Sequence, residues 1–135
     1  MGTDILDRLR SVPLFADLDT DGLQRLASIA NEFEAAAGHV LMERGQAGTG
    51  VFIIEDGSVR VEMPDDDDDV ILGPGEFVGE LSVLADTPRT ARVMVDSDMT
   101  GLAIRRQDLD DLLLEEPTIA VAMLRALARR FVGHD

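Results

Sequence analysis

VFIIEDGSVRVEM, residues 51–63, holds two apolar segments of different texture on either side of an Asp-Gly pair. Val51 to Glu55 is a continuous apolar run fit for a buried strand. Val59, Val61 and Met63 instead alternate with Arg60 and Glu62, the period of two that sends successive side chains to opposite faces of a strand. Asp56-Gly57 between them is a strong signal for a two-residue hairpin turn. The stretch therefore predicts two strands joined by a hairpin. Outward from it, Val40–Glu43, Val70–Leu72, Arg92–Val95 and Leu102–Ile104 are further short strand candidates, punctuated by Gly73-Pro74-Gly75 and by Asp96 to Asp98. Many short strands with glycine punctuation indicate a closed or double-sheet β architecture of the jelly-roll kind.

Helical periodicity flanks this region. Residues 4–10 (DILDRLR) predict a short helix ending before Ser11 and Pro13. Leu23, Leu26, Ala27, Ile29 and Ala30 recur at helical spacing, with Thr20 or Asp21 as the cap and an end near Phe33. Beyond Arg106, Leu109, Leu112 and Leu113 mark a helix over 108–114, and Pro117 suits the first position of another that runs to about Val132. The fold class is mainly β with flanking helices: a double-stranded β-helix, or jelly-roll-like β-roll, with N-terminal helices and two C-terminal helices. We expect one domain over 1–135, divided into a helical segment 1–34, a β-roll 35–105 and C-terminal helices 106–135.

The chain has 135 residues, 45% of them hydrophobic, which is enough for one core and too little for two comfortable ones. Its formal charge is −15, from 12 basic and 27 acidic residues, so its long-range field repels nucleic acid and anionic membranes. The apolar run Ile119 to Leu124 is far shorter than the roughly 20 residues of a membrane span, and MGTDILDRLR does not read as a signal peptide. The expectation is a cytoplasmic protein that binds neither nucleic acid nor membrane. With no cysteine and two histidines, His39 and His134, a thiolate site is absent, and neither a histidine metal centre nor a Ser-His-Asp set can be assembled. No metal, no resident cofactor and no enzymatic activity are expected.

Two acidic stretches have bland readings. Asp17 to Gly22 (DLDTDG) matches the first half of a calcium loop, but position twelve is Ser28, so a helix-capping turn is the better reading. The aspartates 65–69 read as an exposed hairpin loop, because like charges repel and stay solvated.

Within this acidic chain, Gly79 to Val93 reads GELSVLADTPRTARV. Gly79 to Leu84 suits about one helical turn, whose first amides point outward unpaired and which glycine leaves open to an anion. Arg89, following Pro88, would offer a planar, permanently charged fork to that anion, and Thr90 a hydroxyl donor. Glu80, an acceptor, suits a sugar hydroxyl. On these residues alone, Arg89 either serves such a phosphate or pairs with Glu80 or another acid.

Phe77-Val78-Gly79-Glu80-Leu81-Ser82-Val83-Leu84 followed by Pro88-Arg89-Thr90-Ala91 resembles the phosphate-binding cassette of the cyclic nucleotide-binding domain family, here over residues 77–91. Val12-Pro13-Leu14-Phe15, Gly45, Gly57 and Gly73-Pro74-Gly75-Glu76-Phe77 are also similar to markers of that family. Val78, between Phe77 and Gly79, departs from the tightest form of the motif. The sequence stops at Asp135, where activator-type members continue into a DNA-reading segment, so a fragment or a free-standing sensor is expected.

The resemblance implies a regulatory module that binds a cyclic mononucleotide, cAMP first and possibly cGMP, and signals through its C-terminal helices. It implies that Arg89 pairs with the cyclic phosphate, that Glu80 accepts the ribose 2′-hydroxyl, and that the backbone of Gly79 with Leu81 or Ser82 completes the cradle. Thr90 would place its hydroxyl on the phosphate or on a guanine edge, and Ala91 closes the motif. Arg130, in the last helix, is either a partner for Glu80 or the nucleotide, or a surface arginine. Ile119, Met123, Leu124, Leu127 and Phe131 give that helix a broad apolar surface, from which a homodimer is expected. The other reading is a degenerate member that keeps the fold as an interaction scaffold and binds no nucleotide.

Overall fold

In a computed structural model, residues 5–43, 45, 50–62, 68–79 and 91–132 are described. The chain divides into a helical unit, residues 1–30 with 107–135, and a β unit, residues 31–106. The elements run α1 (Ile5–Arg10), a 3-10 helix (Pro13–Phe15), α2 (Thr20–Ile29), β1 (Ala30–Ala35), β2 (Val40–Met42), β3 (Gly50–Glu62), β4 (Val70–Leu72), β5 (Phe77–Val78), β6 (Arg92–Arg105), α3 (Arg106–Glu115) and α4 (Pro117–Val132).

The β unit is an antiparallel roll built on two long strands. β3 and β6 pair along their whole length, from Gly50 opposite Arg105 to Glu62 opposite Arg92. β1 and β2 pair with β6, while β4 and β5 pair with β3. The expected hairpin at Asp56-Gly57 is therefore corrected: β3 passes straight through it, and the two halves of residues 51–62 pair with β6 and not with each other. Likewise Arg92–Val95 and Leu102–Ile104 are one strand, because β6 runs on through Asp96 to Asp98, where Ser97 keeps Ser58 as its partner. Between Ile54 and Val59 the register with β6 shifts three times, and each shift inserts an unmatched residue that kinks the ladder. Gly57 sits in this bend at φ +86°, a conformation that favours glycine. An Asp-Gly pair that would reverse a free chain here bends a continuous one.

Met42, Ile54, Val59, Val78, Val93, Val95 and Met99 form the core of the β unit, with Phe33 packed edge-on to Phe52 at its margin, ring centroids 5.4 Å apart. The predicted helix end near Phe33 is also corrected. α2 stops at Ile29, and Phe33 and Ala35 turn half-buried on β1 between exposed neighbours, because pairing with β6 outweighs the local helical spacing.

In the helical unit α1 packs on α2, and α4 packs against the 3-10 helix. Leu9, Phe15, Leu23, Leu26, Leu109, Leu112, Ile119 and Met123 are buried. Asp19, and neither Thr20 nor Asp21, caps α2 by accepting a 2.8 Å hydrogen bond from Gly22 N. Asp17 pairs with Arg129 at 2.6 Å, so the acidic turn caps and anchors helices, as its sequence suggests. Asp19→Ala removes the acceptor for an otherwise orphaned amide and is expected to lower stability by about 1 kcal/mol, read as a reduced midpoint in urea at unchanged slope. Ile119 and Met123 face inward, which corrects the predicted apolar surface of α4: its exposed apolar side chains include Val121 and Leu124.

Candidate functional site

The strands on either side of residues 79–91, β5 and β6, both pair with β3. Upstream, Val78 of β5 is the cross-strand partner of Phe52; downstream, Arg92 opens β6 opposite Glu62. These anchor points lie ten residues apart on β3, no more than about 33 Å along a strand. The strands that flank the intervening segment are thus both tied to β3 by main-chain pairing. Before the segment, Gly75 N donates to Ile54 O and Ile54 N donates to Glu76 O, each at 2.8 Å, which ties the Gly-Pro-Gly turn to the middle of β3.

Gly79, the first residue after β5, is half-buried with φ +95°, in the left-handed region that lets backbone amides face a ligand without a Cβ in the way. Ala91 is half-buried immediately before β6. Glu80, Leu81, Ser82, Arg89 and Thr90, with the predicted helical turn, lie outside the described residues, as does the side chain of Arg130, whose backbone belongs to α4.

At the downstream anchor the structure reveals a charge cluster that the sequence reading passed over. Arg92 Nε lies 3.5 Å from a carboxylate oxygen of Glu43, just beyond β2, and its NH1 lies 4.0 Å from Glu62 at the end of β3. Nε is shielded from solvent and has no hydrogen bond among the described residues, so it is held by charge and not by a directed bond. The signal in sequence was only the cross-strand pair Glu62–Arg92, visible once the register is known. One residue along, and so directed to the other face of the strands, Val61 has Val70 and Val93 as cross-strand partners, and Val70 is 42% exposed.

Elsewhere acids already occupy Arg10, Arg25, Arg60 and Arg129. Arg60 binds Asp96 at 2.9 Å and Asp69 at 3.5 Å, and hydrogen bonding to Asp96, followed by its charge and the weaker contribution of Asp69, raises the guanidinium pKa. In the helical unit a groove of about 540 Å³ is lined by Asp19, Asp21, Arg25, Glu116 and neutral residues, with Arg25 and Glu116 paired at 3.1 Å. Three carboxylates against one paired arginine make it unfavourable for a phosphate. His39 is exposed, and among the described residues no three acidic or histidine side chains converge as a metal site.

The sequence profile of the cyclic nucleotide-binding domain matches residues 32–116. The chain is 31% identical over 128 residues to an NTE family protein of Mycobacterium bovis, which covers 95% of this chain and 22% of the relative. The chain thus spans about a fifth of the length of that relative. The N-terminal domain of a transcriptional regulator from Streptomyces coelicolor A3(2) superposes with a TM-score of 0.77 at 33% identity, covering 95% of this chain and 92% of that one. A structure described with a cyclic-GMP-dependent signalling pathway that regulates bacterial phytopathogenesis gives 0.72 at 32% identity, covering 86% and 95%. No helix among the described residues is long and apolar enough to cross a membrane.

Proposed function

We propose that this chain, which belongs to the cyclic nucleotide-binding domain family, is a regulatory module that binds a cyclic mononucleotide at residues 79–91 and performs no chemistry on it. The observation that carries this reading is the motif Gly79-Glu80-Leu81-Ser82 with Pro88-Arg89-Thr90-Ala91, between two strands that both pair with β3. Arg89 and Thr90 supply donors to the phosphate, Glu80 accepts from the ribose, and the Gly79 backbone lets the anion approach closely. The apolar strip at Val61 and Val70 gives the face of a base something to lie against. cAMP is the ligand proposed, with cGMP as the competitor, since Thr90 suits either.

Signalling follows if the bound and free states prefer different placements of α4, because a ligand shifts an equilibrium only by its difference in affinity for the two states. Exposed Val121 and Leu124 on α4 and Leu114 on α3 are the apolar side chains proposed to meet a second copy in a homodimer.

Thermal melts with cAMP, cGMP and linear AMP separate this reading from a nucleotide-free scaffold. A cyclic nucleotide at a hundred times its Kd stabilises the folded state by about 2.7 kcal/mol, a rise in Tm of about 10 °C for a chain of this size. Identical melts with and without every nucleotide identify the scaffold.

A further inference from the structure

We propose that Asp56 and Gly57 form a site of spontaneous covalent modification, at which the chain isomerises to isoaspartate through a cyclic imide. Three features of the bend in β3 set up the reaction. Gly57 N donates to Asp56 Oδ1 at 3.2 Å, so the amide nitrogen and the carboxyl it would attack already face each other, with Cγ one bond beyond that oxygen. Asp56 is exposed, which leaves its side chain free to close and lets water reach the product. Gly57 is the residue that the ladder skips, with Asp56 opposite Thr100 and Ser58 opposite Ser97, and it has no Cβ to shield its nitrogen. The reaction needs no nucleotide at residues 79–91.

Asp56 reacts as the carboxylic acid. The lone pair of Gly57 N adds to Asp56 Cγ and forms an N–Cγ bond; the amide proton and the carboxyl hydroxyl leave together as water, and a five-membered succinimide results. Water then opens the ring at either carbonyl. Breaking the new N–Cγ bond restores aspartate. Breaking the bond from Gly57 N to the main-chain carbonyl carbon of Asp56 leaves the chain running through Cγ, as isoaspartate. Nothing is oxidised or reduced, and the product keeps the mass of the starting chain. It does add a carbon to the main chain, at a point where even a Cβ on Gly57 would stand 2.2 Å from Asp98 O. The isomerised strand is therefore expected to lose its register between Ile54 and Val59 and to unfold at a lower urea midpoint.

The chain carries a second Asp-Gly pair, Asp21-Gly22, in a different setting. There Gly22 is buried in α2, and its N donates to Asp19 at 2.8 Å and not to Asp21. The test incubates the full chain for weeks, once folded below its Tm and once in urea. Tryptic peptides 45–60 and 11–25, which hold one pair each, are then assayed for isoaspartate by enzymatic methylation of isoaspartyl carboxyls and by chromatography. In the folded chain, peptide 45–60 is expected to gain isoaspartate several-fold faster than peptide 11–25. In urea, where both pairs are free of the fold, the two rates are expected to converge. Asp56→Glu would have to close a six-membered ring, and is expected to remove the signal from 45–60 while leaving 11–25 unchanged. Formation at Asp56 no faster than at Asp21 in the folded chain overturns the proposal, as does a folded rate at Asp56 far below its rate in urea. Should Asp56→Glu fail to fold, the two wild-type peptides still decide.

Discussion

Arg89→Ala is expected to weaken binding of the cyclic nucleotide by at least tenfold, and by a hundredfold or more if both arms of the guanidinium fork are used. Each charge-assisted hydrogen bond to a phosphate is worth about 1.5–3 kcal/mol, and about 1.4 kcal/mol is a factor of ten. The loss should be this large because the rest of the chain does not help: its formal charge is −15, so attraction to an anion has to come from short-range, oriented donors. Arg89→Lys keeps the charge but loses the planar fork, and is expected to fall between wild type and alanine. Calorimetric titration reads both. The alternative, in which Arg89 pairs with an acid as Arg25, Arg60 and Arg129 do, predicts unchanged affinity and a modest loss of stability.

Gly57→Ala is expected to cost about 3 kcal/mol or more of folding stability, a large part of the 5–15 kcal/mol typical of a domain. A Cβ at this position would stand 2.2 Å from Asp98 O and 2.7 Å from Met99 Cα, on the neighbouring strand. Those atoms are backbone in the bend of β6, so neither can swing aside as a side chain would. The positive φ of +86° adds about 1–2 kcal/mol for any residue with a Cβ. Urea unfolding followed by circular dichroism checks the value, and a loss under 1 kcal/mol would show that the bend relaxes. A control at Gly73, where a Cβ would meet nothing within 4 Å, is expected to be nearly neutral.

These two positions also mark what the sequence could convey. The β class, the strand segments and the family were legible, because alternation at Val59 and Val61, the apolar run at Val51 and the Pro-Arg-Thr-Ala motif are local patterns. The hairpin at Asp56-Gly57 was misread because turn chemistry specifies a backbone conformation, not a pairing partner. Gly57 does adopt the positive φ, but Val59 finds Val95 and Leu72 across the ladder where a hairpin would return it toward Ile54. The same limit hid β1: Ile29 and Ala30 continue the helical spacing, and only pairing with β6 ends the helix. The cap moved by one residue, to Asp19, since several consecutive polar residues can each serve a helix start and geometry selects among them. The Arg92 cluster was not legible, because Glu62 and Arg92 lie on different strands and Glu43 just beyond a third, so only the register brings them together.

The central claim is that the module recognises the cyclic form of a mononucleotide, and titration calorimetry of the wild-type chain with cAMP, cGMP and linear AMP tests it most directly. The account predicts saturable one-to-one binding of cAMP or cGMP that persists at physiological salt, with linear AMP binding much more weakly. Absence of binding by both cyclic nucleotides, or equal affinity for the linear one, would contradict it.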